Sequence, residues 1–401
     1  MPREVPVLSA IAFAVAIGFG VIAPAVPIFA RDFGVGRTAA AAVISAFAFM
    51  RFVSALSSGR LVDRFGERAV LATGLALVAV TTGLAGLANS YFMLLALRAL
   101  GGIGSAMFTV AAVSLLLRVV DAEYRGRANG WFQAGFLAGG LAGPVFGGLL
   151  TEVSVRLPFF VYAVSVSIAG VIAMAFLAKA NLQHKEKADQ AAETERTTLR
   201  QALGFKAFRA ALASNLGAGW SLWGVRTSLI PLFVIEAMRV GPIWTGIGFL
   251  VSSVFQAILL MPAGRFVDTI GRKPAIIGGG LVAAAAMGTI ALFDNLPAYL
   301  VAMALFGIAG AYLGVAPSAV VGDVVRGRGG QVVAAYQMAG DLGAVVGPLA
   351  AGALADEVSF GAAFGMTAGV VLIGPLLALR MPETRYSRAD EVMPTREGGT
   401  P

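Results

Sequence analysis

Long stretches of this chain carry no charged residue, and short polar clusters separate them. Val5–Ala30, Ala69–Leu97, Ala99–Leu117, Ala128–Thr151, Val240–Gly264, Asn295–Gly322 and Val358–Leu379 contain no Asp, Glu, Lys or Arg. About 20 apolar residues cross a bilayer as a helix. The apolar positions do not alternate with polar ones, which excludes barrel strands, and the hydrocarbon offers no water to an unpaired backbone, so helices remain. Ala69–Leu97 is too long for one crossing and divides at Ala88-Asn89-Ser90-Tyr91. Splitting the rest at charged or Pro/Gly turns predicts twelve spans: 6–30, 38–59, 69–89, 92–117, 129–151, 157–179, 210–236, 243–264, 274–293, 297–321, 331–354 and 358–379.

Composition narrows the class. Of 401 residues, 58% are apolar and 13% charged, far below the roughly 25% charged of soluble domains. The first apolar run is long and lacks a small-residue cleavage site, so it reads as helix 1 and not as a removable leader. There is no cysteine, hence no disulfide and no thiol metal site. Only Arg31, Arg37, Arg156 and Arg239 fall on one side of the predicted membrane, and Arg51, Arg98 and Arg226 fall inside it. The other Lys and Arg collect with both termini, which places the termini in the cytoplasm. The net charge of +8 is that of basic loops facing anionic lipid, and it calls for no nucleic acid.

The chain repeats itself at an offset of about 205 residues. Pro27, Phe29 and Asp32 return as Pro231, Phe233 and Glu236; Gly59, Asp63 and Gly66 as Gly264, Asp268 and Gly271; Gly143 and Pro144 as Gly347 and Pro348. A constant offset across several helices predicts two similar six-helix halves. The expected organisation is an N-terminal bundle over 1–179, a polar linker over 180–209 that holds the single histidine, His184, a C-terminal bundle over 210–380 and a tail over 381–401.

The order of these motifs resembles the major facilitator superfamily from Val5 to Arg380, and within it the twelve-helix drug/proton antiporters. Gly59-x-x-x-Asp63-Arg64-x-Gly66-x-Arg68 is similar to the signature loop between helices 2 and 3, with Glu67 where a basic residue is usual. Gly264, Asp268, Gly271 and Arg272 form its second copy. Arg98–Ala106 resembles the helix 4 motif, with Gly101 where the family often has Gln, and Ile17–Pro27 resembles the helix 1 signature. Gly139, Gly143, Pro144, Gly147 and Gly148 match the whole Gly-x-x-x-Gly-Pro-x-x-Gly-Gly pattern associated with antiporters. The resemblance implies an all-α membrane protein with two pseudo-symmetric six-helix bundles around a central site, and a signature loop that latches the cytoplasmic end. Gly59 is expected to allow close helix approach there, with Asp63, Arg64 and Arg68 bonding near a helix start at Gly329–Gly330.

Ionisable groups inside spans are candidates by their cost, about 2.5–3.5 kcal/mol each at mid-membrane. Arg98 and Arg226 are expected to face the cavity, Arg98 also as the family's coupling arginine or as a partner for helix 1 carbonyls near Pro24. Arg226 either contacts substrate or pairs with Asp341. Trp220 and Trp223, three apart, are expected to share a helix face and stack a planar substrate or pack, and Tyr312 adds a hydrogen bond. Asp341 is the preferred proton site, with Asp32 and Glu236 as alternatives nearer the outer ends.

The leading expectation is a proton antiporter that exports small, partly lipophilic organic molecules; the alternative is a proton symporter or uniporter for a polar or anionic metabolite such as a sugar or organic acid. A receptor or scaffold is a third class. No phosphate loop, metal-ligand cluster or catalytic constellation is present in the sequence, so neither an enzyme nor a cofactor is expected. The expected setting is the plasma membrane of a bacterium, with the protein a monomer and its partners a small-molecule substrate, protons and lipid.

Overall fold

The apolar runs become long helices. The computed structural model describes residues 4–119, 125–176, 198–324 and 330–385, and some helical side chains within those ranges, Asp63 among them, lie outside the description. The twelve long helices are α1 (Glu4–Arg31), α2 (Arg37–Phe65), α3 (Glu67–Gly86), α4 (Tyr91–Val119), α5 (Arg125–Val153), α6 (Leu157–Phe176), α7 (Lys206–Ala237), α8 (Ile243–Thr269), α9 (Arg272–Leu292), α10 (Leu296–Val324), α11 (Gly330–Glu357) and α12 (Phe360–Leu379), and among the described residues all but α5 are long and apolar enough to cross a membrane. Each of the twelve predicted spans is occupied by helix where it lies among the described residues, the end of the sixth, 177–179, falling outside them, and no strand occurs among the described residues.

Local chemistry sets the ends. α2 stops at Gly66 with φ of 82°, a left-handed conformation that glycine adopts without a Cβ penalty, and the equivalent Gly271 before α9 has φ of 147°. Ser359 starts α12 by accepting the Ala362 N–H at 3.1 Å. A six-residue helix, Leu199–Gly204, opens with a capping box from Thr198 and Gln201 and lies within the expected linker, of which α7 takes the last residues.

α7 departs from the regular span read in the sequence. It runs in wide π turns over Gly219–Val225 and Phe233–Ala237, with a break at Leu229 ahead of Pro231. Proline has no N–H and crowds the carbonyl four residues back, while Thr227 and Ser228 hydroxyls donate to carbonyls of the preceding turn and loosen it. Apolar periodicity does not register such a bulge.

α1–α6 pack as one half and α7–α12 as the other, joined mainly through α2 against α11 and α5 against α8. The sequence repeat is also a packing repeat. Phe29 meets Phe159 edge-on at 5.4 Å between centroids, and the equivalent Phe233 meets Phe364 at 5.3 Å.

The stripe of glycines on α5 faces α1. A methyl group at Gly139 would lie 2.5 Å from the Phe13 carbonyl oxygen, and one at Gly143 2.5 Å from that of Ile17; Gly135 and Gly147 continue the row against Ser9 and Val21. Four glycines spaced by four thus seat α5 on the backbone of α1. Pro144 fills against Gly20, and Gly148 approaches Ile243 and Gly246 of the other half.

Candidate transport pathway

Two ends of the bundle differ in how the halves meet. At one end, here the capped end, Arg37 N and Thr38 N donate to Asp356 at 2.9 and 2.8 Å, and the Thr38 hydroxyl donates to it at 2.7 Å. The repeat supplies a counterpart, since Glu152 of the first half accepts the Ile243 N–H at 3.3 Å at the start of α8. Each half therefore places a carboxylate on a helix N-terminus of the other, where the helix dipole and free N–H groups favour an anion. Glu236 adds ion pairs to Arg31 and Arg37, both at 2.8 Å, and Arg37 also donates to Ala355 O at 2.7 Å and lies over the Phe360 ring.

Deeper in, the Ser45 hydroxyl donates to Val345 O at 2.7 Å and the Ser253 hydroxyl to Gly140 O at 3.3 Å. These reach only the middle of the helices. Among the described residues no hydrogen bond or ion pair joins the halves beyond them toward the end that carries the signature loops. Among the described residues the halves are bonded to each other at the capped end and not at the signature-loop end, here the parted end.

The signature-loop residues agree with a parted end. Open space lies beside Gly59 and Gly264, so the expected close approach at Gly59 is not made among the described residues. Arg64 lies over its neighbour Phe65, and Arg68 donates to Met174 O within the first half. The side chain of Asp63 and the Gly329 site are outside the described residues. The second copy is bound within its own half: Arg272 pairs with Asp323 at 3.0 Å and lies 3.5 Å from Asp268. Glu383, beyond α12, accepts the N–H groups of Arg272 and Lys273, and Thr384 donates to Asp323.

The buried arginines separate. Arg98 is 3% exposed and lies inside the first half, its guanidinium 4.4 Å over the Phe47 ring and close to Tyr162, so it does not open on a cavity as expected; α2 and α6 cover it. Arg226 is half-buried on α7, donates to the Ser252 hydroxyl at 2.7 Å, lies 5.2 Å from the Phe249 ring centre and is near Tyr299. Nε of both arginines is buried without a hydrogen-bond partner, and neither meets a carboxylate among the described residues. The alternative of an Arg226–Asp341 pair is replaced by the contact with Ser252. Asp341 instead interacts through space with Arg51 of α2.

Trp220 and Trp223 do not share a face. A π turn advances each residue by less than an α turn, so three residues no longer bring side chains together. Trp220 is held between Gly347 of α11 and Thr367 of α12, whereas Trp223 is 59% exposed. Tyr312 stands edge-on to Phe266 at 5.6 Å, packed within the second half. Asp32 is exposed at the capped end; partial desolvation holds its carboxyl above the usual range, and Arg156 nearby offsets part of that rise.

Sequence reasoning passed over Glu152 and Asp356, and it counted Arg51 among the charges inside the spans without giving it a role. For the two caps a partial signal existed: Val35-Gly36 returns as Val240-Gly241 at the capped helix starts, while Glu152-Val153-Ser154 returns as Glu357-Val358-Ser359, one residue past the capping Asp356.

A family model described as "Major Facilitator Superfamily" matches residues 8–252 and 218–398. "Multidrug resistance protein 1" of Bacillus subtilis (strain 168) is 27% identical over 248 residues, which are 61% of this chain and 62% of that protein. "Tetracycline resistance protein, class B" of Escherichia coli is 29% identical over 292 residues, 70% of each chain. "Quinolone resistance protein NorA" of Staphylococcus aureus (strain MRSA252) is 26% identical over 160 residues, 40% of this chain and 41% of that one. Among solved structures, a POT family transporter in complex with 5-aminolevulinic acid superposes with a TM-score of 0.79 at 13% identity over 94% of this chain and 96% of its own. A bacterial homologue of the lysosomal transporter Spinster, inward-facing and occupied, gives 0.73 at 15% identity over 94% and 95%. At these identities the structures speak for the fold.

Proposed function

The chain belongs to the Major Facilitator Superfamily, and on that premise we propose that it is a secondary transporter that exports small, partly lipophilic organic molecules in exchange for protons. The observation that carries the exchange reading is the complete Gly-Pro motif of α5, seated glycine by glycine on α1. The resistance proteins that it resembles support an export role. The charge distribution supports a multi-pass protein of the bacterial plasma membrane with both termini cytoplasmic. In that orientation the capped end is external and the parted end opens to the cytoplasm, ready to load a substrate for export. The central path between the halves, rather than a catalytic centre, is the working part, with the signature loops as its cytoplasmic latch.

Coupling to protons requires a carboxylate that both sides reach in turn, and Asp341 is the one within a span near the middle. Reconstituted vesicles with an acidic lumen test the reading. An antiporter accumulates substrate inside as protons leave; a symporter sends substrate out with them. Outward flux would establish the second reading, uptake of a polar or anionic metabolite, which is favoured by one observation: Arg226 has no carboxylate partner among the described residues.

A further inference from the structure

We propose that Asp341 and Arg51 together form the proton-responsive site, an ion pair between the halves that is parted in this conformation and closes when the signature-loop end closes. The proposal rests on the exchange reading and adds the residue that acts on the carboxylate.

The two groups sit where the halves begin to separate. α2 and α11 run side by side, and their innermost hydrogen bond joins Ser45 to Val345. Arg51 lies six residues past Ser45 and Asp341 four before Val345. At 1.5 Å of rise per residue, these are about 9 and 6 Å farther toward the parted end. Both are half-buried. Among the described residues neither side chain makes a hydrogen bond or ion pair, yet the Arg51 charge acts on Asp341. Two opposite charges within the membrane, on facing helices and not joined in an ion pair, gain from any motion that brings them together.

No other group on the surrounding helices takes the place of Arg51. On α7, Arg226 is turned to Ser252, Lys206 and Arg209 lie in the first turn, and Glu236 is bound at the capped end. On α10, Tyr299 bonds Trp244 O, Tyr312 faces Phe266 and Asp323 is held by Arg272. α12 carries no ionisable group from Phe360 to Leu379, and Tyr336 of α11 is buried, its carbonyl accepting from Asn215. Arg51 in turn has Tyr162 of α6 in its field.

The consequence is linkage. A proton that moves from water to the Asp341 carboxylate abolishes its attraction for Arg51, so the protonated site tolerates separation. Loss of that proton restores the attraction and draws α2 toward α11. The proton therefore favours the conformation parted at the signature-loop end, and its release there primes closure. No covalent step is involved.

The absence of cysteine lets spin labels be placed at Ser57 of α2 and Val333 of α11, both exposed, in the full-length protein in lipid discs. Electron–electron distances are then measured from about pH 5.5 to 8.5, where the ratio of short to long distances should rise at least about tenfold in the wild type. Asp341→Asn and Arg51→Gln should each remove the response, Arg51→Lys should keep it, and the exchanged pair Arg51→Asp/Asp341→Arg should restore it. Wild-type distances indifferent to pH, or an undiminished response in Arg51→Gln, overturn the proposal. Vesicle flux separates the two claims: responsive distances without proton-driven flux defeat the exchange reading alone, and proton-driven flux with an intact response in Arg51→Gln defeats the pair alone.

Discussion

Asp356, in the last turn of α11, accepts the backbone N–H of Arg37 at 2.9 Å and so caps a helix that belongs to the other half of the molecule. Glu152 does the same for Ile243 in the repeat-related position. A cap within one helix stabilises that helix, whereas a cap supplied across the interface stabilises one conformation of the whole protein. Losing such a cap typically costs about 1 kcal/mol, about a fivefold change in the equilibrium. Asp356→Ala should therefore shift the population toward an open capped end by roughly fivefold. Glu152→Ala should shift it less, because its single bond is longer, at 3.3 Å. Spin labels at Val153 and Val358, both exposed at this end, read the shift; unchanged distances in Asp356→Ala would contradict it.

Glu236 binds two arginines of the opposite half, with side-chain exposures of 21% for the glutamate and 35% and 27% for Arg31 and Arg37. Water reaches all three, so the pairs together contribute on the order of 1 kcal/mol. Glu236→Gln should loosen the same end modestly. High salt should loosen the wild type by a similar amount, and it should add little to the variant. A large salt effect that persists in Glu236→Gln would place the screened charges elsewhere.

The glycine row on α5 makes a paired prediction. At Gly139 a methyl group would press on the Phe13 carbonyl, while beside Gly140 the space is open. Gly139→Ala should destabilise the protein by about 1–3 kcal/mol, as overpacking does, and Gly140→Ala should be near neutral. Thermal unfolding in detergent compares them. Equal stability of the two would mean that α5 and α1 slide apart at no cost.

How much of this was legible varies with the kind of information. The spans, the two halves and the glycine row follow from apolar runs and repetition, which do not depend on how a helix is rotated. The reciprocal caps left a partial trace in the repeated Val-Gly, although the repeated Glu-Val-Ser points to Glu357, one residue past the capping Asp356. Which charge meets which was not legible. Arg226 meets Ser252 and not Asp341, and Trp220 parts from Trp223, because α7 winds in π turns that residue spacing does not reveal. Arg98 reads as a cavity residue until Phe47 of α2 is seen to cover it.

Asp32 gives the capped end a pH dependence with a defined sign. Desolvation raises its carboxyl above the usual range, and Arg156 offsets part of that. A raised acid binds its proton more tightly in the folded protein than in the unfolded chain. Its ionised form thus weakens the fold at neutral pH, and stability is recovered as pH falls through the folded value. Asp32→Asn should flatten this part of the stability profile, measured as thermal unfolding against pH. A profile that keeps its slope would assign it to another carboxylate.

Charge selectivity rests on Arg226. A cation that enters a water-poor path loses hydration and needs a carboxylate to replace it, as a buried charge needs a partner. Here α1 carries no acid between Glu4 and its far end, and α7 presents an arginine bonded to a neutral hydroxyl, with its Nε unpartnered. A guanidinium in that state repels permanent cations and favours neutral or anionic solutes with electron-rich groups. The transporter should therefore prefer such substrates to ethidium. Arg226→Ala should narrow that preference while the protein remains folded, and Ser252→Ala, which frees the guanidinium without removing its charge, should retain it. Competition between ethidium and a carboxylate-bearing dye in efflux from intact cells distinguishes the outcomes. Strong ethidium efflux by the wild type, unaltered in Arg226→Ala, would mean that the Arg226 charge is not felt along the path.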